Sequence, residues 1–286
     1  MKVPSAAVPY VLVAPLALIL FIFFGLPLAA VVVVSFFDYV NFQTVPAFIF
    51  FNYEELFDST LTIKLYMSMI KYALIVWIIT LVIGFTVSFF LVFHVRSLLW
   101  KIFFFLVCTV PFWTSNIIRM ISWIPVLGRN GLVNQTLISL GIIDEPLDFL
   151  LFSDFSVVVA YVHLFTLFMV VTLFNSMARI DPAILEAAVD AGASRWQVIT
   201  QIVIPLSKTG IALGSIFVIT LVMGDFFVVK IMSGGQSSSA VYAMWNEIAM
   251  LQYPSAAASA VILLAVVVLM VAAILRVVDV RKELSG

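Results

Sequence analysis

The sequence predicts an all-α integral membrane protein, a bundle of six transmembrane helices, on three observations. Of its 286 residues, 64% are hydrophobic and 10% charged, where a soluble domain carries about 45–50% and about 25%. The apolar residues form continuous runs, not the roughly ten-residue alternating segments of an outer-membrane barrel. The charges sort by side of those runs. A chain of 31.7 kDa cannot bury so much apolar surface in its own core, so the excess faces lipid. A soluble enzyme and a secreted disulfide scaffold are thereby excluded; the single Cys108 has no internal partner. The net charge of −1 leaves no basic patch for nucleic acid.

Each span needs about 20 apolar residues to cross about 30 Å of hydrocarbon. Six runs qualify: Val8–Val34, Tyr72–Phe93, Ile102–Ile118, Phe155–Ala178, Leu206–Val229 and Ala256–Val278. The first follows Lys2 but exceeds the roughly 7–15 residues of a secretory signal core, so it reads as a retained anchor. The six are expected to form one transmembrane domain covering residues 1–286.

Placing the N-terminus in the cytoplasm puts nine basic residues on that side and five outside, as the positive-inside rule requires. Acids run the other way, giving the external face −4 and the internal face +4. Asp225, inside the fifth span, completes the balance. Both termini are then cytoplasmic.

Three external loops are long. Ser35–Lys71 is aromatic and acidic; Asn41 to Pro46 reads as extended chain before a short helix near Tyr53–Phe57. Ser122–Asp154 carries three glycines and two prolines and reads as short pieces and turns. Lys230–Pro254 opens on Gly234-Gly235, then a short helix near Val241–Leu251.

On the cytoplasmic side one segment stands out, residues 181–205. Asp181-Pro182 starts a helix. Ile184, Ala187, Ala188 and Ala191 then share a small apolar face, with Glu186 and Asp190 four apart on another. Gly192 ends that helix. Ser194 to Gln197 matches a capping box for a second helix, and Pro205 marks the exit into the fifth span. The product is a helix–Gly–helix elbow whose shallow apolar face suits a groove in another protein.

Glu186-Ala187-Ala188, three residues, Gly192, nine residues, then Ile202-Val203-Ile204-Pro205 resembles the EAA signature of permease subunits of bacterial ABC importers, with Ile204 in the position usually held by Leu. The resemblance implies a six-helix ABC importer permease bundle in which the elbow is a coupling helix seated in a cytoplasmic ATPase, with Glu186, Ala187, Ala188, Asp190, Gly192 and Pro205 as its coupling residues. Pro111 to Arg119, followed by Gly128 to Asn134, and Gly224-Asp225-Phe226 with Gly234-Gly235, are similar to the spermidine/putrescine (PotB-like) branch. That branch implies one of two different permease subunits in the inner membrane, paired with an ATPase dimer and an external binding protein. It also implies polyamine cargo, with another small organic solute as the alternative. This chain has no P-loop sequence, so no cofactor is expected on it, and ATP and Mg belong to the partner ATPase.

Candidate cargo contacts follow from residue type. A carboxylate inside a span is costly and faces a partner or a wet cavity. Asp225 is therefore a cation contact on the path, a partner of Arg119 or Lys230, or a helix cap at a break after Gly224. Trp113, Phe226, Tyr242 and Trp245 offer faces for cation–π contact with an organic amine, or belong to an interfacial aromatic belt. Glu247 joins Tyr242 and Trp245 on the short external helix. Arg119 and Arg129 hold their loop or meet the binding protein. His94 and His163 are too far apart in sequence, and too poorly accompanied, to suggest a metal site. An ion-gradient-driven secondary transporter is the rival reading, but it calls for paired intramembrane charges or repeated broken helices.

Overall fold

The computed structural model describes residues 8–277, which divide into two compact units. One joins the residues up to 63 to residues 243–266; the other holds residues 64–242 and those from 267 on. The elements in chain order are helices α1 (Val8–Leu20) and α2 (Leu26–Val34), a hairpin of β1 (Asp38–Val40) and β2 (Gln43–Val45), then α3 (Phe51–Asp58) and α4 (Thr60–Phe89). After α5 (Leu98–Thr109) come three short helices, α6 (Asn116–Ile121), α7 (Ile124–Leu127) and α8 (Leu132–Ser139). The long α9 (Asp154–Met177) leads to α10 (Pro182–Asp190), α11 (Arg195–Val198) and α12 (Ile204–Leu206). The remainder is α13 (Lys208–Gly224), α14 (Phe227–Met232), α15 (Ala240–Ala249) and α16 (Tyr253–Val277).

Among the described residues, four helices are long and apolar enough to cross a membrane, over Leu12–Val34, Thr60–His94, Asp154–Met177 and Tyr253–Arg276. Two bent pairs raise the number to six if each is one span: Leu98–Trp113 with Asn116–Ser139, bent by 97°, and Arg195–Leu206 with Lys208–Gly224, bent by 68°. The run from Ile102 to Ile118 is thus not one straight helix. Pro111 lies in a 3₁₀ turn over Val110–Trp113, and Ser115 caps the helix that follows by accepting the Ile117 N–H. The helix through Tyr72 begins a full twelve residues earlier, at Thr60.

Besides Pro15 inside α1, two prolines lie within longer helical runs just after a widened π turn. Pro27 follows the π turn Phe21–Gly25, and Pro205 follows Ile199–Val203. Proline lacks an N–H and its ring crowds the carbonyl four residues back. Those carbonyls, of Phe23 and Gln201, lie within the wider turns, which is how each helix carries its proline without stopping.

The first unit is built around aromatic packing and one asparagine. Asn52 Nδ2 donates to the Ser35 and Phe37 carbonyls at 3.0 and 2.9 Å, and the Ser35 and Tyr53 hydroxyls pair at 2.6 Å. Phe36 stacks on Phe48 and meets Phe50 edge-on. Residues 41–46, expected as plain extended chain, are part of a hairpin. Asn41 and Phe42 both take positive φ (50° and 61°), as a two-residue turn matching the strand twist demands. Phe42 in place of the usual glycine hides that turn from a sequence reading.

The second unit is held by the contact of α9 with α13. A Cβ on Gly210 would come within 2.5 Å of Ser176 Cβ, and one on Gly214 within 2.5 Å of both Met169 Sδ and Thr172 Oγ1. On α4, a Cβ on Gly84 would come within 2.6 Å of Met169 Cγ. Small residues four apart let two backbones approach where lipid supplies no hydrophobic drive. Polar clasps add to this: Trp77 Nε1 donates to Ser215 Oγ at 2.7 Å, and the Ser88 hydroxyl to the Val170 carbonyl at 3.0 Å. Met169, Leu173, Val218 and Met223 are fully enclosed.

Gly214→Leu is therefore expected to force α13 away from α9, a misfit of about 1–3 kcal/mol or more. Detergent-solubilised variant should melt several degrees below wild type, with aggregate rising on size exclusion. An unchanged melting curve would show that this approach does not hold the unit together.

Candidate functional site

The elbow runs from Asp181 to Ser207 and bridges the ends of α9 and α13. Asp181 caps α10, its Oδ1 accepting the Ala183 N–H at 2.9 Å. The helix closes in a Schellman turn: Ala193 N–H donates to the Ala188 carbonyl and Gly192 N–H to that of Val189, at 3.0 and 2.9 Å. Gly192 has φ of +87°, with nothing within 4 Å of an added Cβ. Its requirement for glycine is conformational, not one of space. Ser194 and Gln197 then form the reciprocal capping box of α11 at 2.7 and 3.3 Å.

No residue of α10 is buried. Glu186, Ala187 and Asp190 are exposed, Ala188 half so, and Val189 and Trp196 present 58% and 72% of their surface. The small apolar face read from the sequence is thus free within this unit. Ile180, by contrast, is buried and anchors the start of the elbow. Beneath it lies a cleft of about 460 Å³, bounded by Asn175, Ser176 and Arg179 from the end of α9, by Asp181 and Ile184, and by Thr209 of α13. The elbow is therefore hung between two helix ends with open volume beside it. Pro205 lies inside α12, and the bend comes two residues later at buried Ser207.

Asp225 occupies the break between α13 and α14, with an extended backbone (φ −95°, ψ 135°). Its Oδ1 accepts the Val228 N–H at 2.8 Å, in the first turn of α14, and the Tyr161 hydroxyl at 3.4 Å. Of the roles open to Asp225, this geometry contains the helix cap. Phe226 follows, edge-on to Phe227. Trp113 is 75% exposed at the 97° bend.

Arg119 and Arg129 have different surroundings. Arg129 is exposed and faces Asp148 at 3.5 Å. Arg119 is only 6% exposed, donates to Asn116 Oδ1 and lies over the Phe112 ring at 5.6 Å. It is held within its loop, not presented outward. On α15, Tyr242 donates its N–H to Ser239 Oγ at 3.3 Å, and Trp245 is 40% exposed. In the first unit Glu247 accepts the Ser255 hydroxyl at 3.2 Å, and its other oxygen is buried without a partner. Burial pushes the Glu247 carboxyl above the ordinary range and the charge of Glu55 adds to this, against the lowering by Ser255.

Asp154 is a hub that sequence reading missed. It accepts from Lys71 Nζ at 2.7 Å and from the Tyr72 and Ser237 hydroxyls, tying α4 and the loop before α15 to the start of α9. The same loop turns through Gly234 and Gly235, both at positive φ. In the sequence Asp154 was one of nine external acids, and only its convergence with Lys71 and Ser237 distinguishes it.

No family model matches the chain. Among curated proteins it is 34% identical over 186 residues to the spermidine/putrescine transport system permease protein PotB of Salmonella typhimurium, covering 65% of this chain and 63% of that one. Against the Haemophilus influenzae protein of the same name it is 33% identical over 218 residues, 75% of this chain and 74% of that one. The match therefore spans a little under two thirds of the Salmonella relative's length. A crystal structure of a bacterial alginate ABC transporter, in complex with an alginate-bound periplasmic protein, superimposes with a TM-score of 0.74 over 93% of this chain and 92% of that one, at 17% identity. The fold is that of an ABC transporter permease.

Gly192 gives a direct test of the elbow. An alanine at positive φ costs of order 1 kcal/mol, and a β-branched residue more. If this elbow couples the chain to a partner ATPase, Gly192→Val should misdirect α11 and abolish uptake while the spans still insert; wild-type ATPase retention and uptake in one preparation would remove the elbow from that role.

Proposed function

This chain belongs to the family of spermidine/putrescine transport system permease proteins, and we propose that it forms half of the membrane pathway of an ATP-driven importer of polyamines. In this reading a second, homologous permease subunit supplies the other half. A cytoplasmic ATPase dimer hydrolyses ATP with Mg, and an external binding protein delivers the cargo. Both termini and the elbow lie in the cytoplasm. The observation that carries the reading is the elbow: a Schellman-ended helix with a free apolar face, hung from α9 and α13 over open volume.

The chemistry assigns work to the parts. Closure of the ATPase pushes on the Ala187–Ala188 face, with Glu186 and Asp190 as polar contacts, and the rigid turn at Gly192 passes the push to α11. Because α9 and α13 interlock at Gly210 and Gly214, the two helices move together. Their far ends hold Asp225 and Tyr161, where a cationic cargo meets a carboxylate. In the same unit Phe226, Trp113 and Tyr242 supply aromatic faces; in the other unit Trp245 and Glu247 supply an aromatic face and a negative charge. The external charge of −4 favours cations as a salt-screened steering effect.

The test is reconstitution with the partner subunits and measurement of spermidine- and putrescine-dependent uptake. Saturable uptake that needs ATP and the binding protein is expected. Gradient-driven movement without ATP would favour a secondary transporter, and stimulation by a different solute would keep the mechanism but change the cargo.

Two further outcomes are expected. Asp225→Asn keeps an oxygen to accept the Val228 N–H but removes the charge, so it should assemble normally and lose polyamine uptake at least tenfold. Asp225→Ala should lose the cap as well and assemble less. Equal uptake by wild type and Asp225→Asn would take this carboxylate off the path. Reporters fused after Gly286 and between Arg195 and Lys208 should be cytoplasmic, and one near Glu54 external; an external Arg195 would overturn the proposed orientation.

A further inference from the structure

Arg119 is buried, and among the described residues no carboxylate lies within ion-pair distance of it. Its Nε is enclosed without a partner, and its recorded hydrogen bond runs to the neutral Asn116 amide. A buried cation without a counter-charge is expensive and calls for an anion from outside the chain. Arg119 lines a cavity of about 310 Å³ together with His163, Phe112, Pro111 and Thr166. His163 takes the Trp123 indole N–H on Nδ1 at 3.0 Å, so the neutral ring carries its own proton on Nε2. The Thr166 hydroxyl donates to the Val162 carbonyl. The charged and ring-nitrogen groups around this cavity are thus donors, with no acid among its walls.

The cavity does not end there. A second one, of about 330 Å³, shares Val87 and Cys108 as walls and runs on between α4 and α5 past Phe90, Leu91 and Phe104. Its lining is apolar, and Phe90, Phe104 and Val107 open onto the outer surface of the helices. Together the two make a groove with hydrocarbon walls and a cation at one end. Charge and shape match one class of occupant already abundant around a membrane protein, an amphiphile with an anionic head. A polyamine would be repelled by Arg119.

We propose that this groove is a binding site for an anionic phospholipid, with one acyl chain lying along α4 and α5 and the phosphate paired to Arg119. On the orientation proposed above, the head lies in the outer leaflet. Such a lipid would brace α6 and the 97° bend against α9, through the same Arg119 and His163.

The assembled transporter, delipidated in detergent and offered phosphatidylglycerol or phosphatidylcholine of equal chain length, can be weighed by native mass spectrometry. One phosphatidylglycerol per copy of this chain should remain, at least tenfold more often than phosphatidylcholine. The preference should vanish in Arg119→Gln and persist in Arg119→Lys. Should Arg119→Gln fail to assemble, Cys108 provides a measurement on the native chain. A bimane on it, with cysteine-free partner subunits, should be quenched more strongly by chain-brominated phosphatidylglycerol than by brominated phosphatidylcholine. Equal retention of the two lipids, or retention unchanged in Arg119→Gln, overturns the proposal. So does a Cys108 label that neither lipid quenches, the result expected if the second permease subunit covers the groove.

Discussion

The close approach of α13 to α9 is the constraint on which the second unit depends. Two glycines one turn apart, Gly210 and Gly214, leave no room for a β-carbon against Ser176, Thr172 and Met169. In water such a contact would be one among many. In lipid, helices gain little from burying apolar side chains, so association rests on backbone proximity and polar clasps. Met169 is gripped from the α4 side as well, at Gly84, which makes its side chain the centre of a three-helix junction. The elbow is strung between the ends of α9 and α13, and at their other ends lie the Asp154 hub and the Asp225 break. One interlocked pair therefore connects the elbow at one end to the polar groups at the other.

The breaks in the helices follow rules as definite as those of the contact. Pro27 and Pro205 are each preceded by a π turn that contains the carbonyl they would otherwise crowd. After Gly224 the helix stops and a carboxylate starts the next one, its oxygen meeting the free Val228 N–H. Each interruption comes with a group that satisfies the backbone it exposes, which hydrocarbon makes obligatory. The elbow obeys the same discipline: Asp181, the Gly192 turn and the Ser194–Gln197 box close both ends of α10 and the start of α11.

Much of this was legible in the sequence, because the signals were local. The caps at Asp181 and Ser194 and the stop at Gly192 depend on residues within five positions of one another. So do the short helices at Phe51–Asp58 and Ala240–Ala249. What escaped depends on residues far apart or on an unusual choice of side chain. Asp154 becomes a hub only when Lys71 and Ser237, each more than eighty positions away, converge on it. The hairpin at Asn41-Phe42 places a phenylalanine at positive φ, against every composition rule for such turns. The bend after Trp113 falls within a run that hydropathy reads as continuous, since Thr114, Ser115 and Asn116 are too few to interrupt it. For Arg119 the sequence leaves two roles open, holding its loop or meeting the binding protein, and only its burial beside Asn116 and Phe112 separates it from the exposed Arg129.

That bend has a consequence for how the protein meets its bilayer. The straight part of the segment, Leu98–Trp113, rises only about 26 Å, short of the roughly 30 Å of hydrocarbon it has to match. The shortfall is met by local thinning of the membrane, or by polar groups at Thr114–Asn116 sinking below the headgroups. Both draw water inward at one spot on the perimeter. The thickness of the host membrane thus becomes a variable in the assembly of this chain, acting through one short helix.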